Sequence, residues 1–392
     1  MIVAVQTETP HDNQSCNDAD FLKLPHVLLV IDQLPKALGG GERVALKLAA
    51  LLPHYGYRAS ILTFSIHPQS AALEFPPCPI HLLPMQRTYD LAAFRAALDL
   101  RRFLRHNRVQ LVQTFFESSD LWAGFITKAT SNAKLIWSRR DMGILRARKH
   151  SIAYRLMARM PDAVLTVSEQ VRRHSIDVDG INPELVQTIY NGLDLSNWDD
   201  ISRPLRTSGN SVVTTVGNIR RVKGHDLFIK AAASIALELP DVQFKIAGDI
   251  LEPDYYLELQ ELIHDLKLSR QFQFTGAVAN LRDHLINSDV FVLPSRSEGF
   301  SNAIIEAMAA SLPVVATDVG GNAEAVINDV SGFVVPPEDV AALSAAITRL
   351  LFDRERAKAM GAAGRALVEK KFTIQAMMRR TTDVYDKVLS CR

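Results

Sequence analysis

Short β-branched, apolar runs alternate with longer amphipathic stretches along almost the whole chain, and the alternation runs through twice. Strands that are apolar throughout must be covered on both faces. Helices between successive strands supply that cover, so the pattern implies parallel sheets wrapped by helices. Expected strands in the first half are His26–Ile31, Arg58–Phe64, Ile80–Leu83, Val109–Thr114, Lys134–Trp137, Ala163–Val167 and Leu185–Ile189. Expected helices between them are Glu42–His54, Leu91–Arg105, Leu121–Thr130, Ser151–Met160 and Glu169–Ser175. The second half gives strands at Val212–Val216, Val242–Ala247, Phe272–Phe274, Val290–Leu293, Val314–Ala316 and Phe333–Val335. Its helices are expected at Asp226–Leu237, Tyr255–Leu266, Leu281–Asn287, Ala303–Ala310, Val340–Leu351 and Glu355–Lys371.

A chain of 392 residues exceeds what one core usually serves, so two domains are expected. Residues 1–24 are polar, lack a signal-peptide pattern and read as a disordered tail. The stretch Trp198–Asn210 has linker composition, and Gly192 in the preceding turn can take a positive φ. This places a first domain at 25–205 and a second at 206–372, with a last helix, Ile374–Leu389 within 373–392, expected to pack back on the first domain. The fold class is α/β: two Rossmann-like domains whose parallel sheets face a central cleft. Ligands of such sheets sit outside the carboxyl ends of the strands, so loops after strands should carry the chemistry.

Net charge is +1, which gives no global field for nucleic acid, and none is expected as a partner. Cys16, Cys78 and Cys391 form no CxxC pair, so neither a zinc site nor a disulfide framework is suggested and a cytoplasmic location is expected. The longest apolar runs fall well short of the roughly 20 residues that cross a bilayer.

The run Leu293-Pro294-Ser295-Arg296-Ser297-Glu298-Gly299-Phe300-Ser301-Asn302-Ala303-Ile304-Ile305-Glu306 is the strongest constellation. A buried strand ends, a polar loop follows, and a helix opens near Asn302. Free N–H groups at such a helix start favour a phosphate, and Ser301 and Asn302 suit its cap. Gly299 allows close backbone approach. Glu298 and Glu306 can each accept hydrogen bonds from a polyol, one a sugar and the other a ribose, joined by a diphosphate over the helix start. Val216-Gly217-Asn218-Ile219-Arg220-Arg221-Val222-Lys223-Gly224 also links strand to helix, and the Lys223 ammonium can reach that diphosphate. Gly39-Gly40-Gly41-Glu42 opens an amphipathic helix and lacks the spacing of a dinucleotide fingerprint.

Together these strings resemble family 4 of the retaining glycosyltransferases, the group 1 enzymes of GT-B fold. The Glu298-Gly299-Phe300-Ser301-Asn302…Glu306 run is similar to the family's Glu-x7-Glu signature. The Gly217–Gly224 loop resembles its Gly-Arg-Leu-x3-Lys-Gly loop, and Gly39–Glu42 its Gly-Gly-Ala-Glu loop. Ile246-Ala247-Gly248-Asp249, Phe274-Thr275-Gly276 and Gly320-Gly321-Asn322-Ala323-Glu324 add weaker likenesses in the family's order. The resemblance implies a UDP- or GDP-sugar donor and transfer to a glycan or lipid-linked acceptor in polysaccharide, lipopolysaccharide or glycolipid synthesis. It implies catalytic roles for Glu298 and Lys223. Donor binding would fall to Gly40, Gly41, Arg220, Arg221, Lys223, Phe300, Ser301, Asn302 and Glu306, with no metal and no cofactor. A nucleotide-sugar epimerase or hydrolase, or a non-catalytic nucleotide-sugar binder, is the alternative.

Two departures stand out. Asn218 occupies the family's arginine position, and Arg220 or Arg221 is expected to substitute. The family's histidine string after the fourth strand is replaced by Val112-Gln113-Thr114-Phe115-Phe116-Glu117-Ser118-Ser119-Asp120, where Gln113, Glu117 or Asp120 could make a polar contact in its place, or Glu117 and Asp120 could simply cap the next helix. Residues Arg139–Arg159 interleave seven cations with apolar residues against one acid, Asp141. Such a stretch suits an anionic membrane surface, the phosphate of a lipid-linked acceptor, or plain solvent.

Overall fold

The computed structural model describes residues 2–4, 23–74, 76–85, 87–88, 90–143, 148–199, 211–278 and 280–391. They form two compact units: residues up to Tyr190 together with Met377–Arg392, and Asn191–Ala376. Each is a parallel α/β layer structure, the class that the alternation of runs implies.

The first unit holds β1 (Val3–Ala4), β2 (His26–Leu34), α1 (Gly40–Leu51), β3 (Arg58–Ile66), β4 (Ile80–Leu82), α2 (Leu91–His106), β5 (Val109–Thr114), α3 (Gly124–Thr130), β6 (Lys134–Arg139), α4 (Arg148–Met157), β7 (Ala163–Thr166), α5 (Glu169–Asp177) and β8 (Val186–Thr188). Strand order is β1-β4-β3-β2-β5-β6-β7-β8, parallel apart from the β1–β4 pair. The order reverses between β2 and β5, the switch point where ligands of such sheets bind. Of the expected tail, Val3–Ala4 instead pairs with the edge strand β4, while residues 5–22 lie outside the described residues. Leu28, Val30, Val112, Leu135 and Trp137 form the core, with Tyr154 edge-on to Trp137 at 5.3 Å.

The second unit holds β9 (Val212–Val216), α6 (His225–Glu238), β10 (Gln243–Ala247), α7 (Pro253–Asp265), β11 (Phe272–Gly276), α8 (Leu281–Ile286), β12 (Val290–Leu293), α9 (Asn302–Ala309), β13 (Val314–Thr317), α10 (Asn322–Ala325), β14 (Gly332–Val335), α11 (Val340–Phe352) and α12 (Arg354–Lys371). The sheet, β11-β10-β9-β12-β13-β14, is parallel throughout and switches between β9 and β12. Phe228, Phe244 and Phe272 anchor the core on one face, the last two stacked at 5.1 Å. The last helix, α13 (Ile374–Ser390), begins in the second unit, and from Met377 onward belongs to the first. There the Tyr385 hydroxyl donates to the Gln113 side chain, and Tyr57 stands edge-on to Tyr385 at 5.4 Å.

The units part ahead of residue 205 because the turn at Asn191–Asp194 is tied to the end of α12. Leu193 N–H donates to the Phe372 carbonyl at 2.8 Å, and Ile374 N–H returns to Leu193 at 2.9 Å. Most of the expected linker, 200–210, lies outside the described residues. Gly192 serves this tie by its size and not, as expected, by a positive φ. A Cβ there would stand 2.6 Å from both the Thr373 carbonyl oxygen and Ile374 Cα. Gly192→Ala should therefore cost about 1–3 kcal/mol through overpacking. Urea unfolding measures this, and an unchanged midpoint would contradict the close-approach account.

Candidate functional site

In the second unit the switch between β9 and β12 brings three strand-end loops into backbone contact. The β9 loop leaves through Gly217, makes a 3-10 turn at Arg221–Lys223 and enters α6 through Gly224, whose φ is +66°. A Cβ on Gly224 would lie 2.0 Å from the Pro294 carbonyl oxygen, so only glycine lets the β9 and β12 loops meet. Arg296 ties the same loops together. Its N–H donates to the Val222 carbonyl at 2.8 Å, and its guanidinium grips Asp226 with two bonds of 2.7 and 2.8 Å. Burial alone would raise the Asp226 pKa, but the Arg296 and Tyr255 hydrogen bonds outweigh it and hold the carboxyl at about 2. Sequence reasoning did not single out Arg296. The third loop, after β13, approaches through Gly320, where a Cβ would fall 1.8 Å from the Glu298 carbonyl oxygen. Gly321 N–H then donates to the Gly299 carbonyl at 2.9 Å.

On this frame Lys223 Nζ donates to Glu298 Oε1 at 2.6 Å, and Ser295 Oγ donates to the same oxygen at 2.7 Å. The Glu298 side chain is 9% exposed and that of Lys223 26%, so the pair is partly shielded yet reachable. Ser301 caps α9 in extended conformation with no side-chain hydrogen bond into the first turn. That arrangement suits an anion at the helix start. Asn302 Oδ1 accepts from Asn191 Nδ2 at 2.7 Å. Glu306 is partly exposed on α9. The Phe300 side chain turns inward and packs on Phe372 at 5.4 Å.

The structure does not bring Arg220 and Arg221 to Lys223. Arg220 pairs with Glu252, and Arg221 pairs with Glu258 while lying over the Tyr255 ring at 4.9 Å. Asn218 ties neighbouring loops: its Oδ1 accepts from Asp249 N–H at 3.2 Å and its carbonyl faces His225 Nε2 at 3.3 Å. An arginine side chain could not make the first of these bonds, because it has no acceptor.

In the first unit, Gly40 and Gly41 open α1 after the uncapped, extended Gly39. A Cβ on Gly41 would meet the Phe116 ring at 2.7 Å and Arg140 Cδ at 3.6 Å, so the glycine makes room for side chains following β5 and β6. Burial raises the pKa of Glu42, with Arg140 opposing. Burial also pulls Arg140 down to about 10, with Glu42 opposing. Glu117 and Asp120 do not cap the helix after β5. Asp32 does, accepting from Ser118 and Ser119 N–H at 3.1 and 2.8 Å at the start of the π-helical turn Ser119–Ala123 that leads into α3. Glu117 pairs with His150. Asp120 is buried with Arg139 at 3.4 Å and Tyr154 at 2.8 Å, and burial lifts its pKa to about 7 against the Arg139 charge. Arg139, with a second partner in Asp179 at 3.0 Å, is thus core and not part of a basic surface. Residues 144–147 lie outside the described residues, and the exposed part of the stretch is the α4 face carrying Lys149, Ile152, Arg155 and Leu156, continued by Arg159. Among the described residues, no group of three or more His, Cys, Asp or Glu side chains could hold a metal ion, and no helix is long and apolar enough to cross a membrane.

Residues 197–367 match the model of the group 1 glycosyl transferases, and residues 38–197 match that of glycosyltransferase family 4. The chain is 30% identical over 253 residues to the lipopolysaccharide core biosynthesis mannosyltransferase LpsB of Rhizobium meliloti, which spans 62% of this chain and 70% of that one. It is 30% identical over 249 residues to a glycogen synthase of Mycobacterium tuberculosis, covering 62% of this chain but only 58% of the synthase. The fold resembles the crystal structure of Anabaena Alr3699/HepE in complex with UDP, with TM-score 0.81 and 22% identity over 92% of this chain and all of that one.

His225 begins α6 directly behind the Lys223 loop, and burial lowers its pKa from 6.5 to about 4. The folded state keeps the ring neutral, so unfolding takes up a proton between those pH values. The ring's contribution to stability is therefore complete above pH 6.5 and lost as pH falls toward 4. His225→Gln should flatten the fall of the thermal midpoint across this window. An identical pH profile for variant and wild type would show that the ring does not titrate this way.

Proposed function

The chain belongs to the group 1, family 4 glycosyltransferases, and on that premise we propose that it transfers a hexose from a UDP- or GDP-sugar to a glycan or lipid-linked acceptor with retention of anomeric configuration. The observation that carries this reading is the Lys223–Glu298 pair beside the uncapped start of α9, at the sheet's switch point. The physical task is to stabilise the charge that develops on the departing nucleoside diphosphate. The Lys223 ammonium and the α9 N–H groups would supply fixed positive potential there. In a front-face displacement, the bond from anomeric carbon to diphosphate oxygen breaks as the acceptor oxygen bonds on the same face. The departing phosphate oxygen takes the acceptor's hydroxyl proton, so no protein base is required. Charge compensation by Lys223 leaves no task for a metal, and turnover should survive chelation by EDTA.

Glu298 would orient the donor sugar and Glu306 the ribose. A mannosyltransferase of lipopolysaccharide core synthesis among the relatives favours an acceptor in envelope glycan or glycolipid synthesis. The α4 face, with Ile152 60% and Leu156 81% exposed beside Lys149, Arg155 and Arg159, would let the protein rest peripherally on the inner face of an anionic membrane. Salt-sensitive sedimentation with anionic but not neutral vesicles, reduced in Lys149→Gln/Arg159→Gln, checks that part. Equal sedimentation with both kinds of vesicle would refute it.

Mass spectrometry of products from a panel of nucleotide sugars and acceptors, followed by anomeric NMR, tests the central reading. Inverted products or no transferred sugar would overturn it. With the donor known, Lys223→Ala should cost about 100- to 1000-fold in rate. Glu306→Gln should mainly raise the donor KM, since the ribose contact is the same in ground and transition states. Glu298→Gln should mainly lower kcat, since its contact strengthens as the sugar reacts. Calorimetry with the free nucleoside diphosphate should find affinity weakened by Glu306→Gln and almost unchanged by Glu298→Gln. The opposite pattern would reverse the two roles.

A further inference from the structure

At the amino-terminal ends of β5 and β6, away from the strand ends that carry the glycine loop, the first unit has a cavity of about 710 Å3. Its walls carry Arg101 and Arg105 of α2, Arg108 in the turn to β5, Lys128 of α3 and Lys134 of β6, and no acidic residue lines it. Lys128 is held by Asp162 at 2.9 Å, and Lys134 donates to the Cys391 carbonyl at 2.8 Å. The three guanidinium groups have no carboxylate partner among the described residues, and Arg101 Nε is buried without an acceptor. Of these five cations only Lys128 has a carboxylate partner among the described residues, so the other four repel one another unless an anion joins them. A buried N–H with no acceptor has a desolvation cost that a bound oxygen would remove.

A second observation concerns the backbone. Arg108 has φ +49°, just past the end of α2. Helices commonly end there on glycine, because a side chain in the left-handed region costs about 1–2 kcal/mol. An arginine held in that conformation places a fifth cation at the cavity wall and makes the local backbone less stable than glycine would. Planar guanidinium groups lining one cavity, two from α2 and one from the turn after it, match the oxygens of a phosphate.

We propose that this cavity is a phosphate-binding site, separate from the donor site of the second unit, for a ligand carrying one or more phosphate groups. A free phosphate compound and the headgroup of an anionic phospholipid share that chemistry.

The test uses the full chain carrying Lys223→Gln, so that binding at the proposed donor loop is weakened and the cavity is read separately. Calorimetry with inorganic pyrophosphate should detect a site in this variant. Adding Arg101→Gln/Arg105→Gln should weaken it about tenfold or more, as expected for lost charge-assisted bonds. Arg108→Gly should also weaken it while leaving the thermal midpoint equal or higher, a combination that loss of a purely structural residue would not give. Sedimentation with phosphatidylcholine vesicles, with and without phosphatidylglycerol, separates the sources. If the arginine variants lose sedimentation on the anionic vesicles, the phosphate is a lipid's. If only their pyrophosphate binding falls, it is a free compound's. If the folded variants bind pyrophosphate and anionic vesicles as well as their parent does, the proposal is wrong, and the transferase reading is untouched.

Discussion

Backbone meeting backbone is the constraint on which the second unit depends. At the switch between β9 and β12, Gly224 meets the Pro294 carbonyl, and Gly320 meets that of Glu298. Gly248, at the end of β10, stands so close to Gly217 that a Cβ would lie 2.2 Å from its carbonyl oxygen. No side chain can stand between these loops. Their separation is therefore fixed by van der Waals contact, and the groups they carry are positioned before any ligand arrives. Lys223 and Glu298, 75 residues apart in sequence, owe their 2.6 Å contact to that frame.

The charges divide according to what surrounds them. Arg296, Arg220 and Arg221 each have carboxylate partners within the unit, and Arg296 spends its guanidinium holding two loops to Asp226. Lys223 pairs with the carboxylate proposed to orient the sugar. A diphosphate reaching it would meet an ammonium already placed, with Glu298 keeping a second bond from Ser295. In the first unit, the pairing of Arg139 with Asp120 and Asp179 is of another kind: a guanidinium, two carboxyl groups and a tyrosine enclosed behind the strand ends, where loss of one partner would strand the others.

Much of this was legible in the sequence because periodicity records burial. Val109–Thr114, Val212–Val216 and Val290–Leu293 begin and end where the sequence places them, since a strand covered on both faces is mostly apolar and admits no polar residue without a partner. The strand–loop–helix at Leu293–Glu306 was equally plain. What escaped was set by tertiary partners. Nothing in Asn218-Ile219-Arg220-Arg221 says that Glu252 and Glu258 will claim both arginines. Nothing in Thr114–Asp120 says that Asp32, from a different strand, will take the cap and leave Asp120 to Arg139. Counting charge along Arg139–Arg159 does not show that its cations divide, with Arg139 ending a buried strand and the exposed ones lying on α4 and just past it. A turn sequence around Gly192 does not show what requires the glycine, which is the chain returning at Thr373 and Ile374.

The last helix has a consequence for how the chain acquires its structure during synthesis. Tyr385 is fully buried in the first unit and bonded to Gln113, a partner 272 residues earlier. When the first unit's strands leave the ribosome, the surface that receives α13 is still bare, and it stays so while the whole second unit is translated. The second unit, contained within Asn191–Ala376, can close as soon as it emerges. The unit that is made first is thus finished last, and for that interval Gln113 and the apolar residues around it are open to water, to chaperones and to other nascent chains.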